Sequence, residues 1–144
     1  MNNQLDKILM QLSLQQKRKQ IGLQIAEPAG IMFGINAEGE LSSQDLEAIN
    51  NIADGLLELE TIKSNEVIYL DAKALSNYSF NDGSLLVITN IDELLFSNDS
   101  KQIISFFEFI YNNYGKNAIM LLGSQKAFNK IKEIDSSCYE KIKM

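Results

Sequence analysis

The sequence predicts an α/β domain, a three-layer sandwich built on a mainly parallel sheet of four to five strands. Short apolar runs of strand length alternate with longer segments in which apolar residues recur every three or four positions. The runs at residues 85–88 and 118–122 are apolar without interruption, as in strands that are buried on both faces of a parallel sheet. A chain of 144 residues is also long enough for one domain with its own core. We therefore expect residues 1–144 to form a single domain.

The first half of the chain alternates between helix and strand. Helices are predicted over residues 3–23 and 43–60, and strands over residues 30–35 and 66–70. Each helix carries one stripe of apolar residues at helical spacing, which predicts that this face packs in the core. Gly22 and Pro28 end the N-terminal helix, and Ser42 or Ser43 is the expected N-cap of the second helix.

The second half continues the alternation. Strands are predicted over residues 84–91 and 118–122, and helices over residues 100–114 and 125–134. Asp99 or Ser100 is the expected N-cap of the longer helix, and Gly115 ends it. Residues 77–83 are expected to form a short, turn-rich connection. The last ten residues, which include Cys138, are expected to fray.

The composition excludes several kinds of chemistry. The chain contains no His and one Cys, which removes the commonest general base, the Ser–His and Cys–His nucleophiles and most zinc or copper sites. We expect no metal site and no cofactor. A single Cys, a start without an apolar signal segment and the lack of a run of about 20 apolar residues predict a cytoplasmic protein that does not cross a membrane.

The charge is concentrated in the middle of the chain. The net charge is −6, yet residues 37–100 contain two basic and 13 acidic residues and therefore carry −11. The flanking segments, residues 1–36 and 101–144, carry +2 and +3. A strongly acidic middle argues against nucleic acid as the main ligand, and it permits association with a basic protein or with a second copy.

Several local motifs follow one another in a fixed order. A basic helix end runs into a Gly-Leu-x-x-x-x-Pro connector at residues 17–28. An apolar strand that ends in Phe follows at residues 31–33, and a strand containing Val and Ile follows at residues 67–75. Of two further apolar strands, the one at residues 83–88 begins with Gly-Ser and the one at residues 119–124 ends with Gly-Ser. Over residues 5–130 this order resembles the AAA+ ATPases, in the branch of the CbxX-type rubisco activases. The resemblance implies a P-loop-NTPase-like fold with strand order 2-3-4-1. Because the chain ends soon after the fourth predicted strand, we expect neither the fifth strand nor the C-terminal helical lid of the family.

The segment that resembles the phosphate-binding loop departs from the family pattern. Such loops read G-x-x-x-x-G-K-[ST], and their lysine and backbone N–H groups hold the phosphates. Here Leu41 stands at the lysine position, and Glu38 and Glu40 add negative charge. There is no Lys or Arg between Lys19 and Lys63. The loop is therefore expected not to bind a triphosphate.

The magnesium-binding part of the pattern is altered as well. Thr89 and Asn90 stand where the family has its magnesium-binding Asp and its water-polarising Glu. Asp92 and Glu93 lie three residues further on and read either as a solvated turn or as a displaced replacement. Ser42 similarly reads either as an N-cap or as a magnesium ligand, and Ser124 stands at the position that senses the γ-phosphate in the family.

The resulting hypothesis is a catalytically inactive, AAA+-like pseudo-ATPase that binds another protein, either a second copy or an active AAA+ ATPase. One alternative is a divergent magnesium-dependent ATPase that uses Gly39, Ser42, Asp92, Glu93 and Ser124. Another alternative, which the acidic middle disfavours, is an accessory protein similar to a clamp loader that acts near DNA.

Exposed aromatic residues and an open sheet edge are the expected interaction surfaces. The candidate interaction residues are Phe33, Tyr78, Phe80, Phe107, Tyr111 and Tyr114. The first strand is expected at the edge of the sheet, where an exposed apolar strand invites pairing with a second chain.

Overall fold

Four parallel strands form the centre of the molecule, in the order β1-β4-β3-β2. The computed structural model describes residues 3–22, 30–37, 40–78 and 82–144. The strands are β1 (Met32–Asn36), β2 (Val67–Asp71), β3 (Leu85–Thr89) and β4 (Ala118–Gly123). The predicted α/β class, the parallel sheet and the expected strand order are confirmed.

Helices cover both faces of this sheet. They are α1 (Asn3–Gln20), α2 (Ser43–Glu58), α3 (Ile91–Leu95), α4 (Ser100–Asn113), α5 (Gln125–Ile134) and α6 (Ser136–Lys141), and a 3₁₀ helix spans Ala72–Asn77. Buried residues of α1 and α2 pack on one face of the sheet, and those of α3 to α6 pack on the other. None of the helices in the described ranges combines the length and apolar character that a membrane crossing needs.

The apolar strands supply both cores because their side chains alternate between the two faces. In β3, Leu85 and Val87 face α1 and α2, whereas Leu86 and Ile88 face the other helices. All four side chains are fully buried. The prediction from the continuous apolar run, that β3 is buried on both faces of a parallel sheet, is therefore confirmed.

Strand β3 is shorter than predicted because the backbone turns after it. The strand ends at Thr89, and Asn90 adopts a left-handed conformation with φ of 60°. Asn tolerates this conformation better than most residues, and here it starts α3 directly. Asp92 and Glu93 thus belong to the first turn of a helix, and the prediction that they lie in a strand-end turn is corrected.

The last residues do not fray, contrary to the prediction. Residues 136–141 form α6, and Cys138 is fully buried against the core. Beyond this helix, Lys143 pairs in parallel with Phe33 on the outer side of β1. Strand β1 lies at the edge of the sheet as predicted, and the sheet has no fifth strand in the described residues. The prediction that this edge is open is corrected, because Lys143 covers part of it. The connector residues 23–29, including Pro28, lie outside the described ranges.

Candidate functional site

A crevice of about 1040 Å³ opens at the carboxyl ends of the strands. Helix α2 follows β1 on one face of the sheet, and α5 follows the neighbouring strand β4 on the opposite face. This arrangement makes the crevice a topological switch point, where open parallel sheets bind their ligands. Its described lining is Ala37, Glu40, Leu41, Leu46, Tyr69, Thr89, Asn90, Asp92, Glu93, Leu122, Ser124, Gln125 and Lys126. The fold therefore brings together Asp92, Glu93 and Ser124, three of the residues named for the alternative of a magnesium-dependent ATPase.

The N-terminus of α2 is closed by a capping box. The Ser42 hydroxyl accepts a hydrogen bond from the backbone N–H of Asp45 at 3.1 Å, and the Asp45 carboxylate accepts one from the Ser42 N–H at 3.3 Å. The N-cap interpretation of Ser42 is therefore confirmed. A helix N-terminus attracts anions through its free N–H groups and its dipole. Here the carboxylate of Asp45 already lies at that end.

A second carboxylate lies against the start of α5. Asp92 accepts hydrogen bonds from the backbone N–H of Ser124, at 2.9 Å, and from the Ser124 hydroxyl. The same hydroxyl accepts a bond from the N–H of Ala127 at 3.2 Å and so caps α5. A Cβ at Gly123 would lie 3.2 Å from the Asp92 oxygen, so the small residue leaves room for this approach. Asp92 thus connects α3 to the N-terminus of α5.

Glu93 is engaged with a cation. Its carboxylate forms an ion pair with the ammonium group of Lys73, which lies in the 3₁₀ helix. This hydrogen bond and the negative charge of Glu93 raise the pKa of Lys73. Both side chains are substantially exposed, so the pair contributes little to stability. It does orient Glu93 toward Lys73.

The crevice is acidic and partly apolar. Among the described residues that line it, Glu40, Asp92 and Glu93 are carboxylates and Lys126 is the one cation. Two large apolar or aromatic side chains of the same lining, Leu46 and Tyr69, are 39% and 41% exposed. Glu38 and Gly39 lie outside the described residues.

Thr89 and Asn90, at which the resemblance to the AAA+ ATPases would place carboxylates, are polar but uncharged. The Thr89 hydroxyl donates a hydrogen bond to the carbonyl of Leu70 at 3.3 Å. Asn90 is exposed and makes no side-chain cap for α3. Thr89 is thus held by the neighbouring strand, whereas Asn90 presents its amide to the solvent at the crevice.

Two of the candidate interaction aromatics are core residues. Phe33 and Phe107 are only 6% and 8% exposed, so their assignment as contact residues is corrected. Phe33 is buried because it points from β1 toward α1 and α2. Tyr114 is half-buried, and its hydroxyl donates a hydrogen bond to the carbonyl of Gly30 at 3.3 Å. Phe80 lies outside the described residues.

Two other aromatics are accessible. Tyr78 is 38% exposed, and its hydroxyl accepts a hydrogen bond from the N–H of Asp71 at 3.2 Å. Tyr111 is 42% exposed, and its hydroxyl donates to Asp135 at 2.7 Å. Tyr111 also lines a second groove of about 500 Å³ beside the exposed side chains of Ile104 and Ile134.

Sequence reasoning missed Asp45 and Gln4. The pattern Ser42-x-x-Asp45 is a capping signature and could have identified Asp45. The role of Gln4, which bonds to the backbone of β1, leaves no local signal because the partners are 30 and 32 residues away.

The fold and the site together define an α/β protein with a three-layer sandwich, consistent with a P-loop-like architecture, whose strand-end crevice is lined by its own carboxylates. Comparison with models of known protein families and with curated protein sequences gives no match to this chain.

Proposed function

We propose that this chain is a catalytically inactive, AAA+-like domain of the cytoplasm that works by binding another protein. The proposal depends on one observation, the carboxylates that lie at the N-termini of α2 and α5. Asp45 lies in the first turn of α2, and Asp92 accepts bonds from the N-cap residue of α5. Phosphate groups of a ligand bind at helix N-termini whose N–H groups are free. At these two N-termini a carboxylate of the chain already accepts a hydrogen bond, which supports the absence of a bound nucleotide.

Electrostatics then disfavour a triphosphate in the crevice. Two like unit charges about 4 Å apart repel by roughly 1 kcal/mol in bulk water and roughly 4 kcal/mol near a protein surface. A bound triphosphate would meet Glu40 and Asp92, with Lys126 as the one lining cation among the described residues. The sequence also offers no Lys or Arg between residues 19 and 63 to replace the loop lysine.

The same crevice has features of a protein-binding surface. It is concave, and Leu46 and Tyr69 expose apolar area beside the charged groups. Tyr78 is exposed as well and is hydrogen-bonded to Asp71, the last residue of β2. The partner is either a second copy of the chain or an active AAA+ ATPase, as the resemblance implies.

Thermal unfolding with magnesium and ATP tests the absence of nucleotide binding. A ligand at 100 times its Kd stabilises a protein by about 2.7 kcal/mol, which raises Tm by several degrees in a chain of this size. We expect no change in Tm at millimolar Mg–ATP, with a known ATP-binding protein run in parallel as the control. A rise of several degrees that EDTA abolishes would overturn the proposal. Loss of that rise in Ser42→Ala and Asp92→Asn would then support the magnesium-dependent ATPase.

Light scattering tests whether the chain binds a second copy of itself. Association is expected to increase with concentration and to be lost in Leu46→Glu, which places another negative charge in the crevice. Leu57→Glu is the matched control, because Leu57 is 36% exposed on the same helix and does not line the crevice. If the wild type stays monomeric and an active AAA+ ATPase added to it does not bind, the protein-binding proposal fails.

A further inference from the structure

We propose that the outer edge of β1 is a strand-addition surface for a second copy of this chain, and that the chain keeps it closed with two of its own groups. These groups are the main chain of Lys143 and the side-chain amide of Gln4. When the side-chain amide of Gln4 and the N–H of Lys143 are both removed, the β1 strands of two copies pair. The inference does not depend on the proposed function, since it concerns the sheet edge and not the crevice.

The first half of the edge is covered by the main chain of Lys143. Its N–H donates a hydrogen bond to the carbonyl of Met32 at 2.8 Å, and its carbonyl accepts one from the N–H of Gly34 at 2.9 Å. This pattern is a parallel bridge centred on Phe33. Lys143 therefore stands in the position of a fifth strand.

The second half is covered by one side chain. The Gln4 amide nitrogen donates to the carbonyl of Gly34 at 3.1 Å, and the Gln4 amide oxygen accepts from the N–H of Asn36 at 2.7 Å. A side-chain amide has the same donor and acceptor as a peptide group. Gln4 thus makes the pair of bonds that the N–H and C=O of the next bridging residue of a parallel fifth strand would make.

Packing holds both groups in place. Gln4 immediately precedes Leu5, which is fully buried and fixes α1 against the core. On the other side, the missing side chain of Gly34 allows close approach of Ile142, whose Cγ2 would lie 2.6 Å from a Cβ at position 34. The two covering groups are therefore positioned by the buried Leu5 and the partly buried Ile142, which limits the conformational entropy that their hydrogen bonds cost.

The composition of β1 explains why its outer edge needs to be covered. Its sequence is Met-Phe-Gly-Ile-Asn, and it lacks the charged residues and prolines that usually protect an edge strand. An exposed edge of this kind is self-complementary, because two copies related by a two-fold axis can pair their β1 strands in antiparallel fashion. Such a contact is isologous and closes at a dimer, so the expected occupant is one second copy.

The test compares Gln4→Met/Lys143→Pro with its parent chain by light scattering and amide hydrogen exchange. Both carry Leu46→Glu, so that association through the crevice does not contribute to the measured mass. Met has a similar length but does not bond to the strand, and Pro removes the N–H of residue 143. Ile142 already has φ of −82° and ψ of 124°, which a following proline accepts. The control is Gln11→Met, because Gln11 lies on α1 and lines the groove beside β1.

In dilute solution we expect the amide of Asn36, which loses its Gln4 acceptor, to exchange about five- to tenfold faster in the double variant, the range that one lost hydrogen bond gives. The amide of Gly34 keeps its acceptor, because Lys143→Pro leaves the carbonyl of residue 143 in place. As the concentration rises, the double variant should become a dimer and the Asn36 amide should regain protection, while the Gln11→Met control behaves as the parent chain.

Two results would overturn the proposal. One is a folded double variant that has the same mass as the control at every concentration. The other is a dimer in which the Asn36 amide stays unprotected, which would place the contact elsewhere. If the double variant does not fold, Gln4→Met alone decides, because unchanged exchange of the Asn36 amide would show that Gln4 does not close the edge.

Discussion

At the scale of single residues, the polar groups of the crevice serve the fold. Ser42 and Asp45 cap α2, whereas Asp92 and Ser124 join α3 to α5. The first pair is three positions apart and was predictable as a capping pattern. The second pair is separated by 32 residues, so its hydrogen bonds arise only when β3 and β4 lie side by side.

The raised pKa values of two side chains predict how the free energy of unfolding changes at alkaline pH. Burial raises the pKa of the Cys138 thiol from its usual 9.0 to about 12. The hydrogen bond that Tyr111 donates to Asp135 raises the pKa of this phenol from its usual 10.0 to about 12. Both groups have a higher pKa in the folded state than in the unfolded state. Their contribution is therefore complete below about pH 9 and is lost as the pH rises toward 12.

Urea unfolding between pH 8 and pH 12 measures this loss. The wild type should become progressively less stable above pH 9. In Cys138→Ala the decline should begin later, near pH 10, and in Tyr111→Phe it should be shallower between pH 10 and pH 12. The interpretation is wrong if both variants follow the wild-type curve with an unchanged slope.

At the scale of helices and strands, the long periodic elements were predictable and the short ones were not. The helices around residues 43–60, 100–114 and 125–134 were predicted within two residues at each end. In contrast, α3, α6 and the 3₁₀ helix contain five or six residues, too few for a 3.6-residue period to be recognised. Their formation depends on what they pack against. Cys138 of α6, for example, is buried in the core of one sheet face.

A substitution at Gly34 tests how closely strand β1 and the segment around Ile142 pack. In Gly34→Ala, the new Cβ would meet Ile142 Cγ2 at 2.6 Å and Phe128 Cε1 at 3.1 Å. We expect a loss of about 1 to 3 kcal/mol in unfolding free energy, as overpacking gives. The amide of Lys143 should also lose protection from hydrogen exchange.

A double-mutant cycle provides the control. Ile142→Ala removes the nearest methyl group, so Gly34→Ala should cost less in that background than in the wild type. Equal costs in both backgrounds would show that Ile142 does not limit the space at position 34.

At the scale of the whole molecule, one sheet connects two cores. The side chains of β3 and β4 alternate between the cluster around α1 and α2 and the cluster around α3 to α6. Disrupting a central strand should therefore unfold both clusters together. The acidic middle of the sequence also has a structural counterpart, since Glu40, Asp92 and Glu93 meet at one crevice.

Leu86→Ala tests this cooperativity. Leu86 is fully buried in β3, and its truncation should cost about 2 to 5 kcal/mol. Unfolding followed by far-ultraviolet circular dichroism and by tyrosine fluorescence should show one coincident transition. Leu57→Ala is the matched control, because Leu57 is 36% exposed and its truncation should cost far less. Two separate transitions in Leu86→Ala would show that the clusters unfold independently.

The sequence by itself determined the α/β class, the two-sided burial of β3 and β4 and the capping of α2 and α4. These features depend on side chains that are near one another along the chain, and their periodicity is visible without the fold. Only the tertiary structure decided that Asp92 bonds to Ser124, that Cys138 is buried and that Gln4 closes the edge of β1. Each of these contacts joins segments whose faces meet only after the sheet has assembled, and no local pattern records which faces will meet.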